Sequence, residues 1–187
     1  GVPGTLGGAL YMNAGAYGAE ISKYFISAKL LDMNGNERVL TNKDIDFSYR
    51  KSTFPSDYIL VEAEFKCKKG DMKEIIKNKD RFSKSRKDNQ PLKYRSAGSI
   101  FKNPSQELAA GYLIDNSGLK GVKKGNAMIS KKHANFIINL GGASSNDVIH
   151  LIKLIKKEVS VKFKINLELE IKLLGFQDSF IRGICYA

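Results

Sequence analysis

Ser99, Lys102 and Asn103 stand close together in the segment Ala97-Gly98-Ser99-Ile100-Phe101-Lys102-Asn103-Pro104. Two small residues, a hydroxyl, two apolar residues, a cation, an amide and a proline predict a turn, a short strand and a stop. Such a stop would hold the three polar side chains at one strand end, where they can converge on an anionic ligand. A single serine is more often a surface or capping residue, so this block alone indicates little.

Two other polar clusters occur in comparable settings, Tyr49-Arg50 and the pair Glu168 and Glu170. The guanidinium of Arg50 offers a planar fork of donors that suits a carboxylate or a phosphate. The commoner roles are a surface ion pair for Arg50, half-buried packing for Tyr49 and a solvated strand edge for the two glutamates. Taken singly, those ordinary roles are favoured.

The chemistry open to Ser99 is limited by its surroundings. It lies in no Gly-x-Ser-x-Gly turn, and His133 and His150 are the only histidines that could act as its base. Because His150 falls within a predicted amphipathic helix, the pattern does not favour a hydrolase triad. If Ser99 is catalytic, it donates a proton more readily than it attacks.

Composition restricts the possible partners. The 187 residues suffice for one large or two small domains, and the net charge is +12. Scattered lysines usually form a solvated surface, whereas a functional interpretation is attraction for phosphate-bearing small ligands or nucleic acid. No nucleic-acid-binding motif is present, which favours the small ligands. No apolar run reaches membrane-spanning length, the start does not resemble a signal peptide, and the isolated Cys67 and Cys185 favour a reducing cytoplasm without a metal site.

Hydrophobic periodicity predicts mixed helices and strands. The first part contains predicted strands over 24–33, 37–40 and 58–68, a type I′ hairpin turn at Asn34-Gly35, and a helix from an Asp71/Glu74 cap to about residue 87. A break at 89–91 marks the predicted domain boundary. The second part contains a helix capped by Ser105 and running to 116, strands at 127–130 and 134–140, a helix capped by Ser145, and a strand over 167–173 with one polar face.

The opening segment 1–18, GVPGTLGGALYMNAGAYG, is rich in glycine and alanine and nearly uncharged. Such a segment can pack backbone against backbone or against a cofactor, because side chains would block a close approach. It is not a Gly-x-Gly-x-x-Gly motif. A tightly packed turn with a short helix explains it at least as well.

Five motifs in order resemble one family: GVPGTLGGALYMNAGAYG, SYRKSTF, SAGSIFKNP, GYLIDNSGLKGVKKGNAMISKKHANFIIN and LELEIKLLG. Their order and wording are similar to those of UDP-N-acetylenolpyruvoylglucosamine reductases, from Gly1 to about Gly175. The resemblance implies an α+β fold with three parts. These are the C-terminal part of an FAD-binding domain of the vanillyl-alcohol-oxidase/PCMH type (1–88), a smaller substrate-binding α+β domain (89–176) and a tail that matches no familiar motif (177–187).

The same resemblance implies an activity. The enzyme would use NADPH and FAD to reduce the enolpyruvyl group of UDP-N-acetylglucosamine enolpyruvate to UDP-N-acetylmuramate, in bacterial peptidoglycan synthesis. It implies a cytoplasmic monomer that binds a small-molecule UDP-sugar and neither nucleic acid nor membrane. The matching positions are an active-site arginine, a proton-donating serine and a glutamate (Arg50, Ser99, Glu170), substrate contacts (Tyr49, Lys102, Asn103) and residues along FAD (Gly4, Gly7, Gly8, Asn13, Gly15).

Two departures from the family pattern and two alternatives accompany this expectation. The chain lacks the family's upstream loop for the FAD pyrophosphate, so we expect it to start inside a longer protein. The short spacing from Arg50 to Ser99 resembles the shorter family type, without an inserted tyrosine-bearing loop. The alternatives are a related FAD-dependent oxidase with another substrate and, more remotely, a basic nucleic-acid-binding module.

Overall fold

The computed structural model describes residues 4–185, and the chain divides into two compact units, Gly1–Lys84 and Ser85–Ala187. Both units mix helices with antiparallel strands, so the predicted α+β class is confirmed. The division falls inside a helix, a few residues before the predicted boundary between 88 and 89. The binding roles assigned to the two parts stay predictions.

Unit 1 is organised around a three-stranded antiparallel sheet in the order β4-β3-β7, accompanied by two small hairpins. Its core is formed by side chains of the sheet, the first helix and the connecting loops. Its elements are α1 (Leu6–Tyr11), β1 (Gly15–Ala16), β2 (Ala19–Glu20), a 3-10 turn (Ile21–Tyr24), β3 (Phe25–Leu31), β4 (Glu37–Thr41), β5 (Phe47–Ser48), β6 (Lys51–Ser52), β7 (Ile59–Phe65) and α2 (Met72–Asn89).

The β3–β4 hairpin is confirmed, but its predicted type I′ turn is wrong. The Gly35 N–H donates to Asp32 O, the Asp32 N–H donates to Asn36 O, and only Gly35 of the loop has a positive φ, +84°. This is a three-residue loop whose glycine takes the left-handed position. Asp32 accounts for the difference, since its carboxylate accepts from the N–H groups of Asn34 and Asn36 and stabilises the wider loop.

The alternation of apolar residues along β7 predicts one half-buried face carrying Ile59, Val61, Ala63 and Phe65. Ala63 and Phe65 do pack against the core of unit 1, but the prediction is wrong for Ile59 and Val61. Both side chains are more than half exposed, whereas Leu60 packs against the core. The pairing with β3 shifts register between Lys29 and Leu30, so that Val61 becomes the extra residue of a β-bulge. A bulge inverts the in-and-out alternation, which a periodicity argument cannot detect.

Unit 2 packs its helices against a four-stranded antiparallel sheet in the order β8-β11-β10-β9. The α4 helix supplies the largest buried stripe, including Leu151, Ile152, Ile155 and Val159. The elements of unit 2 after α2 are β8 (Arg95–Ser99), α3 (Ala110–Asn116), β9 (Lys123–Lys124), β10 (Ala127–Ile129), β11 (Phe136–Asn139), α4 (Ser145–Phe163) and α5 (Asp178–Cys185).

Three predictions for unit 2 need correction. The residue that caps α4 is Ser144, not Ser145, because Ser144 and Asp147 exchange side-chain-to-backbone hydrogen bonds in a capping box. The helix predicted from Ser105 begins only at Ala110, and Ser105 caps the turn before it through the Leu108 N–H. The predicted strand 167–173 is reduced to one β-bridge, between Phe101 and Leu169.

The sequence assigns no role to the tail, and the structure shows that most of it forms α5 (Asp178–Cys185), which packs within unit 2. Ile184 is 1% exposed and belongs to the same hydrophobic cluster as α4. The buried ammonium of Lys156 on α4 donates to Ile184 O at 2.6 Å. No helix among residues 4–185 is long and apolar enough to cross a membrane.

Candidate functional site

Ser99 lies at the end of β8, opposite Phe136 of β11. The predicted turn at Ala97-Gly98 is instead a β-bulge within the strand, where the register shifts and Gly98 has a φ of +83°. An added Cβ at Gly98 would meet no atom within 4 Å, so the backbone angle, not crowding, favours glycine there. The bulge sets the direction in which the chain presents Ser99.

Directly after Ser99, the backbone of Ile100 and Phe101 is held from two sides. On one side the Ile100 N–H donates to Asn135 O at 2.9 Å, and the Asn135 carboxamide bonds to both backbone groups of Phe101. On the other side the Glu170 N–H donates to Ile100 O at 2.8 Å. The residue that follows Ser99 is thus hydrogen-bonded directly to the backbone of Glu170.

Glu168 and Glu170 differ in their surroundings. The Glu168 side chain is 73% exposed and forms a 2.5 Å ion pair with the Lys102 ammonium, while Glu170 is only partly exposed. The Lys102 N–H also donates to Glu168 O at 2.8 Å. Glu168 therefore serves as the partner of Lys102, which separates the roles of the two acids more clearly than their sequence positions do.

Lys102 and Asn103 both have protein partners, although they were predicted to contact substrate. Asn103 Oδ1 accepts from the Ala110 N–H at 3.1 Å and so caps the start of α3. The Asn103 side chain, directly before Pro104, therefore has a structural role at the start of α3. A substrate would have to share or replace these contacts, and the substrate role of the two residues stays a prediction.

Tyr49 and Arg50 form the two-residue turn between β5 and β6, since Ser48 pairs with Lys51. Arg50 has a φ of +56°, a left-handed conformation that is unusual for a residue with a side chain. Its guanidinium donates to Gly15 O at 3.1 Å and lies 4.8 Å from the centre of the Tyr49 ring. This hydrogen bond therefore connects the β5–β6 turn to the glycine-rich segment.

Asn13, predicted to contact FAD, is only 1% exposed and connects parts of unit 1. Its Nδ2 donates to Ser48 O and Glu20 Oε2, and its Oδ1 accepts from the Ser22 N–H. These bonds join the glycine-rich segment to the β5–β6 hairpin that carries Arg50. Asn13 thus supports the position of Arg50.

The glycines predicted to lie along FAD fall into two groups. A Cβ at Gly15 would lie 2.6 Å from Ala19 O, so the β1–β2 hairpin itself requires glycine there. At Gly4 a Cβ would meet nothing within 4 Å, at Gly7 it would touch Leu60 at an ordinary 3.6 Å, and at Gly8 it would lie 3.2 Å from Thr5 Oγ1. The backbone around Gly4 and Gly8 is exposed, which leaves room for a ligand.

His133 is half-buried, packs edge-on to Phe136, and accepts the Asn135 N–H at its Nδ1. Burial, with the nearby charge of Lys120, lowers its pKa below 6.5. His133 is therefore mainly uncharged at neutral pH, and its hydrogen bond with the Asn135 N–H gives it a structural role. The other histidine, His150, is exposed on α4. Among the side chains that the structure describes, no three or more of His, Cys, Asp and Glu lie close enough together to bind a metal ion.

The predicted residues thus occur in two sets, one in each unit. Unit 1 brings Tyr49 and Arg50 together with Asn13 and Gly15, and unit 2 brings Ser99 together with the segments of Lys102, Glu168 and Glu170. That Arg50, Ser99 and Glu170 act in one reaction stays a prediction. Asn135 was missed, and only its place inside a shared motif could have drawn attention to it.

Comparison with known proteins gives a consistent result. Residues 90–174 match the family model described as UDP-N-acetylenolpyruvoylglucosamine reductase, C-terminal domain. The chain is 49% identical to a UDP-N-acetylenolpyruvoylglucosamine reductase of Caldicellulosiruptor bescii and 43% identical to that of Lachnoclostridium phytofermentans, in each case over 94% of this chain and 56% of the relative. The chain therefore spans about half the length of the curated relatives it matches.

A solved structure agrees. The crystal structure of UDP-N-acetylenolpyruvylglucosamine reductase from Thermus caldophilus superposes with a TM-score of 0.79 at 38% sequence identity. The match covers 92% of this chain and 61% of the other. At this identity, the similarity extends to the sequence as well as to the fold.

Proposed function

Because this chain is homologous over nearly its whole length to UDP-N-acetylenolpyruvoylglucosamine reductases, and residues 90–174 belong to their C-terminal domain family, we propose that it carries out their reaction. The substrate would be UDP-N-acetylglucosamine enolpyruvate and the product UDP-N-acetylmuramate, a precursor of peptidoglycan. The single observation that carries this proposal is the 43–49% identity across both units.

The cofactors of this proposal are FAD and NADPH. Unit 1 would be part of an FAD-binding domain of the vanillyl-alcohol-oxidase/PCMH type, and the exposed backbone at Gly4 and Gly8, with the half-buried Gly7 between them, would lie along the flavin. Asn13 and Gly15 would support this surface from behind, given their internal bonds. When bound, FAD would supply the hydride chemistry, with NADPH as the reductant and the vinyl carbon of the substrate as the hydride acceptor.

The protein's own residues would then manage charge and one proton. Hydride addition leaves an enolate-like charge beside the substrate carboxylate, and the Arg50 guanidinium would bind that carboxylate and stabilise the charge. Ser99 would protonate the adjacent carbon, and Glu170 would hydrogen-bond close by. A serine hydroxyl is a weak acid, so it requires close positioning, for which the β8 bulge and the bonded Ile100–Phe101 backbone are suited.

Substrate binding would involve Tyr49, Lys102 and Asn103. Lys102 carries its charge beside Glu168, and this pair could open to meet the UDP phosphates. NADPH and the sugar nucleotide would use the same space in turn, and we place the reaction in the cytoplasm with a monomeric enzyme.

Replacing Ser99 by alanine in the flavin-loaded holoenzyme tests the proposal. We expect flavin reduction by NADPH to keep its rate, whereas reoxidation by the enolpyruvyl sugar nucleotide falls by at least about 100-fold, the usual value of a positioned proton donor. Stopped-flow absorbance of the flavin measures both half-reactions. Ser145→Ala, at an exposed serine in the first turn of α4 in the same unit, is the matched control and should change neither rate. Unchanged reoxidation in the Ser99 variant would show that Ser99 is not the proton donor.

A further inference from the structure

We propose that Asn135 is a positioning residue for this reaction, which fixes the backbone between Ser99 and Glu170. This inference rests on the proposed function of those two residues. Asn135 lies in the turn between β10 and β11 and is only 3% exposed. A residue buried in this way acts through the protein groups that it contacts and not by touching the substrate.

The Asn135 carboxamide pairs with Phe101 in the way that the backbone of a neighbouring β-strand would. Its Oδ1 accepts from the Phe101 N–H at 2.9 Å, and its Nδ2 donates to Phe101 O at 2.8 Å. Both backbone groups of a residue that is 1% exposed are thereby paired by one carboxamide. An amide can do this because it offers a donor and an acceptor on one planar group, whereas leucine offers neither and an ionised aspartate only accepts.

The bonds of Asn135 matter because the segment that they hold follows Ser99 directly and accepts the backbone N–H of Glu170. Ile100 accepts the Glu170 N–H at 2.8 Å and donates to Asn135 O at 2.9 Å. Ser99 precedes Ile100 directly, and Lys102 follows Phe101 and donates to Glu168 O. A shift of Phe101 would therefore move Ser99 and Glu170 relative to each other, although neither contacts the Asn135 side chain in the bonds described.

Asn135 is itself held firmly. Its N–H donates to His133 Nδ1 at 3.3 Å, and Ser130 Oγ accepts the His133 N–H at the same distance. Gly111 of α3 comes close to the same turn, since an added Cβ there would lie 3.2 Å from His133 Cε1 and 3.7 Å from the Asn135 Cβ. Asn135 is thus both buried and hydrogen-bonded through its backbone, which fixes the carboxamide that pairs with Phe101.

Asn135→Leu tests this inference, with Asn139→Leu as the matched control. Asn139 is also on the β11 side of the sheet and also holds a turn through two hydrogen bonds, to the N–H groups of Gly141 and Ala143, away from Phe101. The holoenzyme variants are compared by flavin reduction, flavin reoxidation by substrate, and amide hydrogen exchange at Phe101. Asn135→Asp is the second variant, should the leucine variant fail to fold.

In Asn135→Leu we expect reoxidation by substrate to slow by about 100-fold, as for a displacement near 1 Å, with flavin reduction unchanged. The Phe101 amide should exchange roughly tenfold faster, because one buried hydrogen bond is lost. Asn139→Leu should alter neither. Equal reoxidation rates in the two variants, or an unchanged Phe101 exchange rate, would overturn the inference. If the wild-type holoenzyme is not reoxidised by the substrate, it is the proposed function that fails, while the exchange measurement still tests the bond.

Discussion

Arg50 illustrates, at the scale of a single residue, how backbone and chemistry are linked. Its φ of +56° places a bulky side chain where glycine is usual, at a cost of about 1–3 kcal/mol for such a conformation. The hydrogen bond to Gly15 O and the contact with the Tyr49 ring help to offset that cost. The hairpin therefore fixes the orientation of the arginine, which suits the carboxylate-binding role that we propose for it.

His133 leads to a prediction about pH. Its pKa is lowered below 6.5 first by burial and then by the charge of Lys120, so the unfolded chain binds its proton more tightly than the folded chain does. The uncharged His133 side chain therefore makes its full contribution to the unfolding free energy above pH 6.5. This contribution is lost as the pH falls through the lower pKa of the folded chain. We expect His133→Asn, which keeps an acceptor for the Asn135 N–H, to remove part of the loss of stability between about pH 7 and about pH 5.

Urea unfolding of both proteins at the two pH values measures this effect. His150→Asn, at an exposed position on α4, is the control and should keep the wild-type pH dependence. The same loss of unfolding free energy in the wild type and in His133→Asn would contradict the assignment of the effect to His133.

At the scale of elements, bulges and caps decide which residues face the core. The bulge at Val61 inverts the buried face of β7, and the bulge at Ala97-Gly98 sets the exit of β8 at Ser99. The α4 helix begins from a capping box formed by Ser144 and Asp147. The Asp147 carboxylate also lies where a Cβ at Gly125 would be, 2.5 Å from Oδ1, so the cap is packed against the β9–β10 turn.

The capping box gives a prediction that separates two adjacent serines. Ser144 Oγ accepts the Asp147 N–H at 3.1 Å, while Ser145 is the first residue of the helix itself. We expect Ser144→Ala to lower the unfolding free energy of unit 2 by about 1 kcal/mol and Ser145→Ala by less than about 0.5 kcal/mol. Thermal or urea unfolding distinguishes the two variants. A larger effect at Ser145 would restore the cap assigned from the sequence.

At the scale of the whole molecule, the two units have separate and unequal cores. Among the described residues, the core cluster of unit 2 has seventeen buried members and that of unit 1 has seven. Unit 1 also carries exposed apolar side chains on β7 and α2, such as Val61 at 53% and Ile75 at 52%. Because apolar burial is the main favourable term in folding, unit 2 should be the more stable of the two.

We therefore expect this chain to unfold in two steps, with unit 1 first. Leu30→Ala, at a residue 2% exposed in unit 1, should destabilise the first step by about 2–5 kcal/mol, and Ile152→Ala in α4 should do the same to the second. Native-state hydrogen exchange in rising urea, resolved by peptide, would show β3 opening before α4. One shared transition, moved equally by both variants, would be incompatible with separate cores.

The sequence alone determined the features that depend on local periodicity and on motif wording. The Asn34-Gly35 turn identified the β3–β4 pair, the Asp71/Glu74 cap identified α2, and three-and-four spacing identified α4, since these local patterns follow from the geometry of turns and helices. The order of five motifs identified the homology that the comparisons confirm. Ser99 and Glu170 were singled out in this way, and their backbones do lie close together.

Only the tertiary structure decided which groups those residues meet. Lys102 pairs with Glu168 across 66 positions of sequence, and Asn135 reaches Phe101 across 34. The same holds for the packing of α5 through Ile184 and Lys156. The physical reason is that a side chain's partners depend on register, bulges and caps, each of which shifts by a single residue without changing the hydrophobic pattern that a sequence displays.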